Sequence, residues 1–150
     1  MNIVGTWKVS HIKGCDEKDN AVLLNEEEYK EFLIRSEYPA ERMKERMMAF
    51  GQKFRFTEDN FVETMLPIPD DLSREEIDEI VAAGDAKVVD GMMVMSASDP
   101  EEAIQWKEEN GKFFAMAEFN FETNEFDWSE INVVDDNTLD YMLFRIVREQ

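Results

Sequence analysis

Short turn signals recur along the second two-thirds of this chain, and they constrain its fold more than any other feature. Asp90-Gly91 separates Lys87-Val88-Val89 from Met92-Met93-Val94-Met95, and Asn110-Gly111 separates Ile104-Gln105-Trp106-Lys107 from Phe113-Phe114-Ala115-Met116. Such dipeptides accept the positive φ angles of a two-residue hairpin turn. Glu58-Asp59-Asn60 links the alternating Gln52-Lys53-Phe54-Arg55-Phe56-Thr57 to Phe61-Val62-Glu63-Thr64-Met65-Leu66. Asp135-Asp136-Asn137 joins a strand around 128–134 to a last strand read as continuous over 139–148. Strands joined by turns this short pair antiparallel with their neighbours. Eight or nine strands are predicted, in an up-and-down meander that tends to close and hide its edges.

The N-terminus supplies the first strand, residues 3–12. Ile3, Gly5, Trp7 and Val9 share one face, Thr6, Lys8 and Ser10 the other, and His11 is read in phase with Trp7. Two helices should follow. Asn25 is an N-cap for Glu26-Glu27-Glu28-Tyr29-Lys30-Glu31-Phe32-Leu33, whose acidic first turn suits the helix dipole. A second helix should start at Pro39, pass through Met43, Met47 and Phe50, and end at Gly51. Ser73-Arg74-Glu75-Glu76 is a capping-box pattern that should open a short extra helix with Ile77, Ile80 and Val81 on one face and Gly84 at its end.

At 150 residues one domain, 1–150, is expected, with hydrophobic residues at 43%, enough for a real core. The formal net charge of −19 repels phosphate backbones and anionic membrane surfaces, so neither nucleic acid nor a membrane is expected as a partner. Cys15 is the only cysteine, which excludes an internal disulfide. The N-terminus enters a strand without a basic-then-apolar leader, and no apolar run approaches the ~20 residues needed to span a bilayer. A cytoplasmic protein is the expectation.

Gly5-Thr6-Trp7 in the first strand, the helical pair at 26–50, the antiparallel meander and Phe144-Arg145-Ile146 in the last strand together resemble the calycin superfamily of lipocalins and intracellular fatty-acid-binding proteins. Val4-Gly5-Thr6-Trp7-Lys8 is similar to the opening of the fatty-acid-binding branch, which also sets two lid helices after its first strand. The resemblance implies a mainly β, antiparallel calycin-like barrel with two helices after the first strand. The chain reads as a divergent, bacterial-style lipocalin-like domain. It departs from the pattern at Arg145-Ile146-Val147, where many fatty-acid-binding proteins carry a carboxylate-holding Arg-x-Tyr, and in its extra helix near 73–83.

Trp7 has two readings. An arginine, Arg145 or Arg148, stacks on its indole as a latch that closes the barrel. Alternatively Arg145 lies inside and meets a ligand's carboxylate, since an internal arginine needs a partner; Glu63, Glu118 or Glu130 would also serve. Phe54, Phe56, Trp106, Trp128 and Tyr141 could line a cavity or fill a core. Met43 and Met47 on the lid could adapt to an apolar ligand or pack as core filler. Several strands, 113–121 among them, are apolar on both faces, so the second face should cover a helix, a second copy or a protein partner.

Catalytic signals are poor. His11 is the only histidine, so no paired-histidine metal site is expected. Cys15 sits in an acidic turn that favours the thiol. Asp16-Glu17-Lys18-Asp19 lacks the spacing of a calcium loop. No cofactor, metal or catalytic residue is expected. The leading expectation is non-catalytic binding of a small apolar, carboxylate-bearing, lipid-like molecule through Trp7, Met43, Met47, Phe54, Phe56, Trp106, Trp128, Tyr141 and Arg145. The alternatives are a filled-barrel interaction module or homo-oligomer, and an enzyme using buried carboxylates such as Glu118 with Glu130.

Overall fold

Hydrophobic alternation at the N-terminus produces β1 (Gly5–Cys15), the strand around which the sheet is organised. A computed structural model describes residues 1–95 and 103–149, apart from the side chains of residues 95, 118 and 119. One edge of β1 pairs with β11 (Phe144–Arg148). Its other edge is shared by β3 (Lys53–Phe56) and β2 (Ala21–Leu24). Trp7 and Val9 are buried, and a bulge between Val9 and His11 then shifts the register. The bulge turns Ile12 inward instead of His11, so the expected phase of His11 does not hold: one unpaired residue inverts a period of two.

The helical segment folds largely as read. Asn25 and Glu28 form a reciprocal capping box at the start of α1 (Glu26–Arg35), where three glutamates face the positive end of the helix. The second helix is broken into a 3₁₀ turn (Ala40–Arg42), α2 (Met43–Met47) and a second 3₁₀ turn (Met48–Gly51). Gly51 is required by close approach: a Cβ there would sit 2.7 Å from Cγ of Pro67. Ser73 and Glu76 cap α3 (Arg74–Ala82), whose Val81 is nevertheless exposed.

β3 turns through Asn60, at φ 69°, into β4 (Val62–Pro67). Asp90 and Gly91 both take positive φ between β5 (Ala86–Val89) and β6 (Met92–Met95). Asn110 and Gly111 do the same between β7 (Trp106–Glu109) and β8 (Lys112–Asn120). β9 (Glu125–Asp135) leads to β10 (Thr138–Tyr141). The last strand is not continuous over 139–148: Met142 at φ 55° turns the chain, and β10 and β11 pair as a hairpin. The strand count also exceeds expectation. Eleven described strands form one antiparallel sheet in the order β5-β6-β4-β3-β1-β11-β10-β9-β8-β7, with β2 beside β1.

This sheet is not closed into a barrel. Its far strand β7 reaches the chain just before β4 through a single described bridge, Phe61 to Gln105, flanked by Val62 N–H to Ile104 O at 2.8 Å and Trp106 N–H to Asn60 O at 3.0 Å. β6 already pairs with residues 65–67 of β4, so only the first residues of that edge are left for β7. Inside the curl lies one buried cluster that includes Ile3, Trp7, Phe54, Phe56, Trp106, Ile131, Leu139, Tyr141 and Ile146. Burying each such aliphatic or phenylalanine side chain stabilises the fold by about 1.5–3 kcal/mol. Met65, Met92 and Val94 form a smaller core under the β5–β6 hairpin. No described helix is long and apolar enough to cross a membrane.

Candidate functional site

The aromatic residues expected to line a cavity pack on one another. The Phe54 and Tyr141 rings meet edge-on at 5.1 Å, Phe56 meets Tyr141 at 5.7 Å and Trp106 at 6.2 Å, and Trp106 meets Phe113 at 6.2 Å. The Trp106 indole donates to Thr57 O at 3.0 Å, which ties β7 to the β3–β4 turn. Burial pushes the Tyr141 hydroxyl up to about 12. Met43 and Met47 are half-buried against this cluster from the helical side. These side chains form a core, joined by edge-to-face contacts that suit aromatic quadrupoles.

Trp7 is fully buried, and its indole donates to Ile3 O at 2.9 Å. The Arg148 guanidinium lies over the indole at 4.3 Å and donates to Asn2 O, Asp136 O and Val4 O. Of the two arginines weighed for the latch, Arg148 provides it. Gly5 at φ 136° brings the chain under that guanidinium in a conformation open chiefly to glycine, which explains the Gly-x-Trp spacing.

Arg145 is on the other face. Ile146 beside it is buried, while Arg145 and its cross-strand partner Asp140 form a two-pronged ion pair at 2.8 and 3.1 Å. The Asp140 carboxylate raises the Arg145 pKa further. The expected internal position of Arg145 is therefore corrected: its neighbour in β11 holds the core face, and its charge is satisfied by Asp140, while Glu63 pairs with Arg55 and Lys87 and Glu130 with Lys112. Trp128 also faces outward, half-buried under the Lys107 ammonium at 4.4 Å and opposite Met116.

A different place is open. An 810 Å³ groove runs between the helical segment and the end of β4, lined by Tyr38, Arg42, Glu45, Arg46, Met48, Ala49, Gln52, Leu66, Pro67, Pro69 and Met93. Beside it the helical segment approaches Pro67 at Gly51, where a Cβ would not fit. Arg46 Nε donates to the hydroxyl of buried Tyr29 at 3.0 Å. Tyr29 is wedged between the Phe32 and Phe50 rings at 5.9 and 5.7 Å. No described carboxylate forms an ion pair with Arg42 or Arg46.

None of the nine expected binding residues lines this groove, although Met43 and Met47 flank Arg42, Arg46 and Met48 in sequence. The signal that would have found it is Arg42 and Arg46 at i, i+4 among methionines, next to Pro67-Ile68-Pro69. Other candidates are dispersed. His11 Nδ1 shares a 2.8 Å hydrogen bond with Ser10 Oγ. Arg35 donates to the Cys15 carbonyl at 2.9 Å. Asp16 accepts from the backbone of Lys18 and Asn20, which holds its carboxyl below the usual range. Glu130 is exposed and faces Lys112 at 3.5 Å, and the Glu118 side chain lies outside the described residues. Among the described residues no three His, Cys, Asp or Glu side chains group as a metal site. Comparison of the chain with protein-family models, curated proteins and solved structures finds no match.

Proposed function

We propose that the protein is a divergent calycin-like binder of a small apolar molecule, with the ligand held in the groove beneath the 40–51 segment. The observation that carries this is the groove itself, whose 810 Å³ falls within the ~300–1,000 Å³ typical of small-molecule sites. Met48, Leu66, Pro67 and Met93 give it apolar walls, and methionine adapts to irregular ligands. The well-packed aromatic cluster favours this location over the interior of the sheet. No serine, cysteine or histidine is among its described lining residues, so the reading is binding without chemistry.

Titration with dodecanol, followed by calorimetry, tests it. Saturable binding that Met48→Trp weakens several-fold is expected, because Met48 is 38% exposed and a larger ring there fills the groove. Absence of binding, or equal binding by the variant, overturns the reading.

A second reading, an interaction module or homo-oligomer, is favoured by the outer face of β7–β9. Lys107, Phe114, Met116 and Trp128 form a half-buried stripe there, and Phe121 beyond it is 88% exposed. Light scattering that gives a dimer mass, reduced to monomer by Trp128→Glu, would support that reading.

A further inference from the structure

We infer that Arg42 and Arg46 make the groove selective for molecules that carry an oxyanion, and that Tyr29 is the positioning residue for Arg46. The inference rests on the groove being the ligand site. Arg42 and Arg46, four residues apart in sequence, both line the groove, and no described carboxylate forms an ion pair with either of them. This is unusual surface in a chain of net charge −19, where 35 acidic residues compete for 16 basic ones. Glu45 also lines the groove, without an ion pair to either arginine.

Tyr29 supplies the geometry. Its ring is held between Phe32 and Phe50, and its hydroxyl accepts from Nε of Arg46, so one edge of the guanidinium is occupied and its orientation set. Among the described residues the outer amino groups of Arg46 make no hydrogen bond, and the side chain lines the groove. A preset guanidinium loses less rotamer freedom when it grips an anion, and the fork of donors fits carboxylate and phosphate alike. Met48, Leu66 and Met93 take the apolar body beside it. The ligand class is thus an apolar body with one oxyanion head, held outside the curled sheet and not by Arg145.

Dodecanoate, dodecyl phosphate and dodecanol, each below its aggregation threshold, separate the terms in one calorimetric series. The expected result is that both anions bind about tenfold tighter than dodecanol, and that salt erodes the difference. Arg46→Gln and Arg42→Gln should remove most of the preference, weakening both anions by a larger factor than dodecanol. Tyr29→Phe keeps the ring packing and should lower the anion-to-alcohol ratio at unchanged dodecanol affinity, which a purely structural role would not do. Arg42 is solvent-exposed, so Arg42→Gln should unfold at the same urea concentration as wild type, whereas Arg46→Gln and Tyr29→Phe both remove the Arg46–Tyr29 hydrogen bond and are compared with each other. If all three probes bind equally, or if both glutamine variants keep the preference, this inference fails while the groove reading stands. If none of the three binds, the groove reading itself fails and takes this inference with it.

Discussion

The guanidinium of Arg148 sits 4.3 Å over the Trp7 indole while its nitrogens hold the carbonyls of Asn2 and Asp136. One side chain in the last strand thereby joins the N-terminal segment, the first strand and the β9–β10 turn. Arg148→Ala should lower stability by about 1–3 kcal/mol in urea unfolding, from the lost cation–π contact and charged hydrogen bonds. Arg148→Lys should recover less than half, because an ammonium keeps the charge and not the planar fork.

The Arg145–Asp140 pair should be nearly silent. It is a partly exposed cross-strand pair, with the side chains 30% and 23% exposed, so Arg145→Ala should cost about 0–1 kcal/mol. The same variant should leave dodecanoate affinity unchanged. A tenfold loss of affinity in calorimetry would return Arg145 to the binding site.

Gly51→Ala sets a Cβ against the Pro67 ring at 2.7 Å, where a five-membered ring cannot swing aside. A destabilisation of about 1–3 kcal/mol is expected, with Pro67→Ala restoring part of it in the double variant. Urea midpoints of the two single variants and the double variant measure the coupling.

Glu63 should contribute to acid lability. Burial raises its pKa, but hydrogen bonds from Lys87 and Arg55 outweigh that effect and hold the carboxyl below its ordinary 4.5. A depressed folded-state pKa means the folded protein binds fewer protons than the unfolded chain. The resulting stability is present above about pH 4.5 and is lost as pH falls through the folded value. The stability gap between wild type and Glu63→Gln should therefore shrink steadily as pH is lowered below 4.5 in parallel urea titrations.

Tyr141 gives the opposite sign at high pH. Its hydroxyl is raised from 10.0 to about 12 by burial alone, so the folded state holds a proton that the unfolded chain releases. Stability should be unaffected below pH 10 and fall as pH rises from there toward 12. Absorbance at the tyrosinate band should show a late titration that is missing in Tyr141→Phe.

Much of the local architecture was legible in the sequence. Asp90-Gly91 and Asn110-Gly111 turn where they were read because a positive φ is a matter of short-range sterics, and Asn25 and Ser73 cap helices because the acceptors lie three residues away. The Met142 turn was invisible: Tyr141-Met142-Leu143-Phe144 carries no turn residue, and β10–β11 pairing forces the φ that its chemistry disfavours. Ala21–Leu24 was missed as a strand because four residues beside a capped helix show no period. The Ser10 bulge was invisible for the same reason, since alternation cannot announce its own interruption.

By itself, then, the sequence determined that this is an antiparallel, mainly β protein with a helical segment after the first strand, and it left an arginine from the last strand on Trp7 as one of two readings. Which arginine, Arg148 and not Arg145, was decided by cross-strand register, which sets Trp7 against Arg148 and Arg145 against Asp140. Whether the sheet closes was decided by competition for one edge, because β6 occupies the part of β4 that β7 would need. The groove is likewise a product of tertiary packing, because its walls come from residues 38–52 on one side and residues 66–69 and 93 on the other. Turns and caps follow from atoms a few bonds apart; partners such as Gly51 and Pro67, 16 residues apart, or Trp7 and Arg148, 141 apart, are set by the packing of the whole chain.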